Sequence, residues 1–301
     1  MVVAFAVLAA AADQFVIGAA RIAVITRVSP VVVGAVVIGF GTSSPELAVS
    51  GIAAWEGETD IAVGNLVGSN VANITLVVAV AALVTPLAVS AATLRREAPI
   101  SVLAVATFAL LVQGTLTRVD GIIMLFALAA ALAAIARGGR ADAADSVPPD
   151  VGHRPHREAL RVLVALALTL ISAHVIVSAA EDIAEELGLA QGFIGVTLVA
   201  VGTTLPELVT AVQASRRGQG SLIVGNVLGS NVFNSLAVGG VIALVGPGRV
   251  ADPTLTGVGA AAMVAVAAIG WLLMRTGRTV TRGEGALLLA AYGGLLLLLA
   301  R

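Results

Sequence analysis

Gly41-Thr42-Ser43-Ser44-Pro45-Glu46 sets three hydroxyls and a carboxylate in the middle of an apolar run from Val31 to Ala54. An ionisable group at that depth of a hydrophobic segment is costly, and function is the usual reason it is kept. The hexapeptide returns as Gly202-Thr203-Thr204-Leu205-Pro206-Glu207. A second polar island follows each copy: Gly64-Asn65, Gly68-Ser69-Asn70 and Asn73 after the first, Gly225-Asn226, Gly229-Ser230-Asn231 and Asn234 after the second. All of these pairs lie 161 positions apart without a gap. The chain therefore carries an internal duplication, and the rest of its organisation follows from it.

Working outward, 58% of the 301 residues are hydrophobic and only 12% charged, with a mean hydropathy of +1.03. Apolar runs of about 20 residues recur, the length that crosses a hydrocarbon layer. The composition predicts an all-α membrane protein with ten transmembrane helices, near 2–26, 31–54, 60–84, 98–116, 119–137, 159–181, 191–215, 221–246, 254–274 and 284–300. The first apolar segment exceeds a signal-peptide core in length and reads as a span. There is no cysteine, hence no disulfide or thiolate site, and no basic patch with interleaved aromatics that would suit nucleic acid.

Five spans per half is an odd number, so the second copy must enter the bilayer from the opposite side. The two five-helix repeats are then inverted, with broken helices meeting at the midplane. The halves are residues 1–137, with the repeat motif at 39–73, and 159–301, with the motif at 200–234. A cytoplasmic linker, 138–158, joins them without a fold of its own, and its His153 and His156 lack the third ligand of a metal site. With both termini outside, Arg27, Arg95, Arg96, Arg216, Arg217, Arg275, Arg278 and Arg282 fall inside and only Arg118, Arg249 and Arg301 outside, the bias expected of a cell-membrane protein. Glu56, Glu58 and Asp60, and Glu181, Asp182, Glu185 and Glu186, fall in outer loops and read as solvated faces.

In the second span the helix is expected to break at Gly41 and restart with Thr42 or Ser43 as cap and Pro45 in the first turn. That puts Glu46 in the first turn of the new helix. Irregular backbone at membrane depth survives only where protein or a wet cavity covers it, so the break should face the bundle centre. Carbonyls, the Thr42 and Ser43 hydroxyls and Glu46 would supply oxygen ligands, which hard cations such as sodium and calcium select. Ser69 and Asn73 lie four apart on one helical face of the next span. Inversion should bring Glu46, Asn73, Glu207 and Asn234 together. Two carboxylates balance one divalent or two monovalent cations. Asp13 and His174, 161 positions apart, are the other polar residues at depth and could serve in coupling.

GTSSPE with GNLVGSNVAN, and GTTLPE with GNVLGSNVFN, resemble the two repeats of the cation/calcium exchanger superfamily, in its prokaryotic sodium/calcium exchanger branch. The resemblance spans essentially the whole chain and implies a secondary antiporter that exchanges sodium for calcium by alternating access, electrogenically and without potassium. It implies Glu46 and Glu207 as central ligands, completed by Asn73 and Asn234. Side-chain oxygens of Thr42, Ser43, Ser69, Thr203, Thr204 and Ser230 and the carbonyls of Gly39 and Ala200 would join them. The long first and sixth spans would slide to switch access. Calcium and sodium are then transported ions, with no cofactor and no obligate protein partner beyond the bilayer. A divalent cation/proton antiporter of the same fold is the alternative. An intramembrane hydrolase is disfavoured, because no HExxH or GxSxG motif accompanies the glutamates.

Overall fold

Local signals in the sequence set the helix starts. Ser29 accepts a hydrogen bond from the Val32 amide and Pro30 occupies the first turn, opening a helix. Thr117 and Asp120 cap each other reciprocally, and so do Thr281 and Glu284, in two capping boxes 164 positions apart. The structure is a computed structural model that describes residues 2–143, 155–186 and 200–299. Its main helices are α1 (Val2–Thr26), α2 (Pro30–Thr42), α3 (Ser44–Trp55), α4 (Thr59–Val84), α5 (Glu97–Leu111) and α6 (Arg118–Ala143). They continue with α7 (Pro155–Glu186), α8 (Leu205–Arg216), α9 (Gly220–Val245), α10 (Leu255–Arg275) and α11 (Arg282–Leu299).

Among the described residues six helices are long and apolar enough to cross a membrane, and a seventh span is the pair α2 and α3, bent by 44°. The chain is thus a predominantly helical, multi-pass membrane protein. Of the ten expected spans, the one at 98–116 is only 15 residues long as α5. The one at 191–215 begins outside the described residues. Helix α6 runs on to Ala143 and α7 starts at Pro155, so helical residues enter both ends of the stretch 138–158. His153 lies outside the described residues, and His156 is exposed on the first turn of α7.

The centre is built from α4 and α9. A Cβ at Gly225 would overlap the backbone of Val31 and one at Gly229 the backbone of Ala35, so α2 and α9 cross with their main chains in contact. Around them stand α3, α5, α8 and α10, while α1 and α7 pack chiefly against one another at one side. On α7, Leu160, Leu163, Val164, Leu168, Ile171 and Val175 form an exposed stripe at helical spacing, and Val162, Ala165, Thr169, Ser172 and Ile176 face inward.

Two short antiparallel strand pairs tie the helix ends. Leu87–Ala88 pairs with Thr279–Val280, and Thr115–Leu116 pairs with Gly248–Arg249. Leu87 and Gly248 are 161 positions apart, and Leu116 and Val280 are 164 apart, so each pair is the other with its strands exchanged between halves. Arginine contacts repeat the exchange: Arg118 Nε donates to the Leu244 carbonyl at 3.3 Å and Arg282 Nε to the Leu83 carbonyl at 3.2 Å.

Candidate functional site

The first break falls at Ser43 (φ −83°, ψ 8°) and not at Gly41: Gly39–Thr42 is still helical, and the Ser43 amide donates to the Gly39 carbonyl at 3.1 Å. The helix restarts at Ser44 with Pro45 and Glu46 in its first turn. Ser43 offers no side-chain cap to that helix. Its hydroxyl instead donates to Oε1 of Glu207 at 3.1 Å, so the first break reaches across to the carboxylate of the second. The second break has the same form, with Ala200–Thr203 helical, Thr204 at the joint, and Pro206 and Glu207 in the first turn of α8.

The islands on α4 and α9 are not unwound at their glycines. Each helix instead takes one π-helical turn, Asn73–Val77 and Asn234–Val238, starting at positions 161 apart. Such a turn redirects the side chains at its start without exposing main-chain polar groups. Asn73 Nδ2 donates to Asn231 Oδ1 at 3.1 Å, and Ser69 Oγ donates to Glu46 Oε1 at 3.5 Å. Ser230 Oγ donates to the Gly39 carbonyl at 3.5 Å.

The structure therefore gathers Thr42, Ser43, Glu46, Ser69, Asn73, Thr203, Thr204, Glu207, Ser230 and Asn234 in the interior, none more than 7% exposed. Gly39 sits beside them with its carbonyl turned to Ser230 and Ser43. Ala200 opens the short helix before the second break. Buried oxygens without a hydrogen-bond partner among the described residues include Glu46 Oε2, Glu207 Oε2, Asn73 Oδ1, Asn70 Oδ1 and Asn234 Oδ1. Unpartnered acceptors at such a density are costly in a dry interior and are what a cation would satisfy. No group of three or more His, Cys, Asp or Glu side chains lies close together among the described residues, so oxygens of uncharged residues must supply most of any coordination.

Asp13 and His174 do not join this cluster. Asp13 is held by Arg217 through both carboxylate oxygens, at 2.5 Å from Nε and 2.7 Å from Nη2, fastening α1 to the end of α8. These hydrogen bonds push the Arg217 guanidinium above its already high range. His174 is exposed on α7. Asp60 accepts the Ala251 amide at 2.7 Å, and Glu56 and Glu58 are exposed. The side chains of Glu181, Asp182, Glu185 and Glu186 lie outside the described residues.

Several participants had no assigned role in the sequence. Asn65 and Asn226 accept from Thr203 and Thr42, each at 3.4 Å, and Asn231 is the partner of Asn73. Their place in the repeated islands was the signal. Ser50, which Asn65 Nδ2 contacts at 2.9 Å, carried none, since Ala211 stands at the matching position.

Interior carboxylates from two sequence repeats, set at helix breaks and faced by hydroxyls of the opposite repeat, define a multi-pass membrane protein of the ion-transporting class. Residues 1–136 and 158–301 match the model of the family described as sodium/calcium exchanger protein. The chain is similar to the inner membrane protein YrbG of Escherichia coli K12, at 34% identity over 292 residues covering 93% of this chain and 90% of the relative. It is also similar to the sodium/calcium exchanger MaX1 of Methanosarcina acetivorans, at 32% identity with 95% and 93% covered. A solved structure of the sodium-calcium exchanger NCX_Mj, soaked with sodium and strontium, superposes with a TM-score of 0.86 at 27% identity over 100% of this chain and 96% of that one. The chain belongs to the sodium/calcium exchanger family.

Proposed function

We propose that the protein exchanges sodium for calcium across the cell membrane by alternating access at one central site, electrogenically and without potassium. The observation that carries this reading is the cross-repeat pairing of the breaks, with Ser43 of one bound to Glu207 of the other and both glutamates buried. Two carboxylates surrounded by neutral oxygens suit small hard cations. Glu46, Glu207, Asn73 and Asn234 form the middle of the site, flanked by Thr42, Ser43, Ser69, Thr203, Thr204, Ser230 and the carbonyls of Gly39 and Ala200.

In this reading ten spans form two inverted repeats, 1–137 and 159–301, with both termini outside and the linker in the cytoplasm. The strand exchange and the matched arginine contacts support an in-plane two-fold relation. The mutual packing of α1 and α7 supports their moving as a unit. No cofactor, enzymatic step or protein partner is required. Arg217 binds Asp13 and His174 faces outward, so nothing specific favours the proton-coupled alternative.

The test is calcium uptake into proteoliposomes loaded with sodium and diluted into buffer free of sodium and potassium. Uptake should require the outward sodium gradient, respond to membrane potential and disappear in Glu46→Gln and Glu207→Gln. Uptake driven only by a proton gradient would refute sodium coupling, and none under either gradient would refute the ion assignment.

A further inference from the structure

Resting on that reading and its topology, we infer that His174 and Glu56 form an outer latch that closes in the inward-facing state and is tightened by protonation of His174 from outside. Its counterpart is the Asp13 and Arg217 pair, which ties the inner side in this structure. Asp13 stands 161 positions before His174, and Glu56 stands 161 positions before Arg217. The duplication thus keeps an acid opposite a base on each side and exchanges which helix carries which. Burial follows the same register: Leu8, Ala12 and Phe15 of α1 are buried, and so are Thr169, Ala173 and Ile176 of α7, each 161 positions on. Glu56 and Arg217 also match in place, as the residues that end α3 and α8.

The two halves are not placed symmetrically. Helix α1 runs alongside α8, where Arg217 holds both carboxylate oxygens of Asp13 and Gln213 Nε2 donates to the Ala9 carbonyl at 3.2 Å. Helix α7 has no comparable contact with α3 among the described residues, and His174 and Glu56 are both exposed. The offset shows at the breaks as well. A Cβ at Gly41 would overlap Leu166 of α7 and one at Gly202 would overlap Val177 of the same helix, while Phe5, the α1 position that matches Leu166, is exposed. With its inner side tied, the molecule is in the outward-facing arrangement. In inverted repeats the opposite arrangement follows from exchanging the places of the two halves. Helix α7 then runs alongside α3, His174 meets Glu56, and Asp13 parts from Arg217.

The two latches differ in chemistry. An aspartate and an arginine keep their charges across the physiological range, whereas a histidine gains its charge only below about pH 6.5. Glu56 ends α3, where the helix already carries partial negative charge, so a cation arriving there is favoured and a neutral imidazole gains little. Few other charges stand near. Helix α1 brings only Asp13 and Arg21, α8 only Glu207 and Arg216, and the Ala200–Thr203 turn none. Along α7 the nearest in sequence are Arg161 and Glu181, and Glu58 and Asp60 accompany Glu56. His174 meets the outer solution in both states, so its proton is not carried across and the latch adds no proton coupling.

The chain has no cysteine, so introduced pairs report position without background. Ala9→Cys with Gln213→Cys, joined by a short bifunctional maleimide in purified protein in nanodiscs, reads how often the inner side is closed and needs no turnover. At pH 8, adding His174→Arg should slow this crosslink about twofold, within what an exposed ion pair supplies, and adding Glu56→Gln to that protein should restore the rate. At pH 6, protein with His174 intact should crosslink about twofold more slowly than His174→Gln protein at the same pH. Glu56→Cys with His174→Cys should become joined in protein that is exchanging, and calcium uptake should then stop. Both positions are exposed, so these variants keep the fold. A crosslink indifferent to His174→Arg, an effect that survives Glu56→Gln, or a Glu56 and His174 cysteine pair never joined in protein that still takes up calcium overturns the proposal. Wild-type protein without sodium-driven calcium uptake would overturn the exchanger reading itself. Wild-type uptake with crosslinks indifferent to His174 would overturn only the latch.

Discussion

Helices α9 and α7 invert the usual rule of burial. Gly220–Val245 is the least apolar of the six long segments, yet 89% of its span is buried, whereas the more apolar Pro155–Ala179 is 33% buried. In water the apolar helix would be the core. In a bilayer the surroundings are as apolar as leucine, so hydrophobicity does not drive helices together; close packing and hydrogen bonds do. Asn226, Ser230, Asn231 and Asn234 are buried because polar side chains are costly against lipid and are turned to the bundle interior, and Gly225 and Gly229 let the backbones close in.

The contrast can be broken most severely at the centre. Glu207→Gln should abolish exchange in proteoliposomes while leaving the melting temperature equal to or above that of wild type, because it removes a buried charge with an unpartnered oxygen. A fall of many degrees would mean that the carboxylate holds the fold together. Gly229→Val should cost about 3 kcal/mol or more, since its side chain would displace the backbone of Ala35, and should appear as aggregated or low-melting protein on size-exclusion chromatography.

At the edge of the α1 and α7 layer, Asp13→Asn should lower stability by no more than about 1 kcal/mol, as the pair with Arg217 is partly exposed. Exchange rate, measured by stopped-flow calcium release, should change more than the melting temperature if that pair fastens a moving helix. Phe126→Ala on the outer face of α6, 73% exposed, should leave both melting temperature and calcium uptake within error, about 0.5 kcal/mol at most. A large loss there would place protein, and not lipid, against α6.

How much of this was legible follows from what repeats in the chain. The paired hexapeptides and islands identified the interior residues because their spacing is gapless. Position of the break was misread by two residues: a glycine is the usual helix breaker, but the Ser43 amide still closes a turn onto Gly39 and the chain bends only afterwards. The π-helical turns at Asn73 and Asn234 left no trace, since α4 and α9 are largely buried and carry no one-sided apolar stripe whose phase the extra residue could be seen to shift. Asp13 looked stranded at depth because its partner, Arg217, is 204 positions away. Ser50 was invisible because the duplication that exposed the other residues had not kept its counterpart.

The exchanged strands also govern the order in which the molecule is completed. Leu87–Ala88 is synthesised early, and its edge finds Thr279–Val280 only near the end of the chain. Thr115–Leu116 likewise waits for Gly248–Arg249. A ribosome that has delivered the first half has made a set of helices with both ties open, and neither half can shut on itself. Each is finished by the other, so co-expressed fragments divided at the linker should assemble where either alone would be degraded.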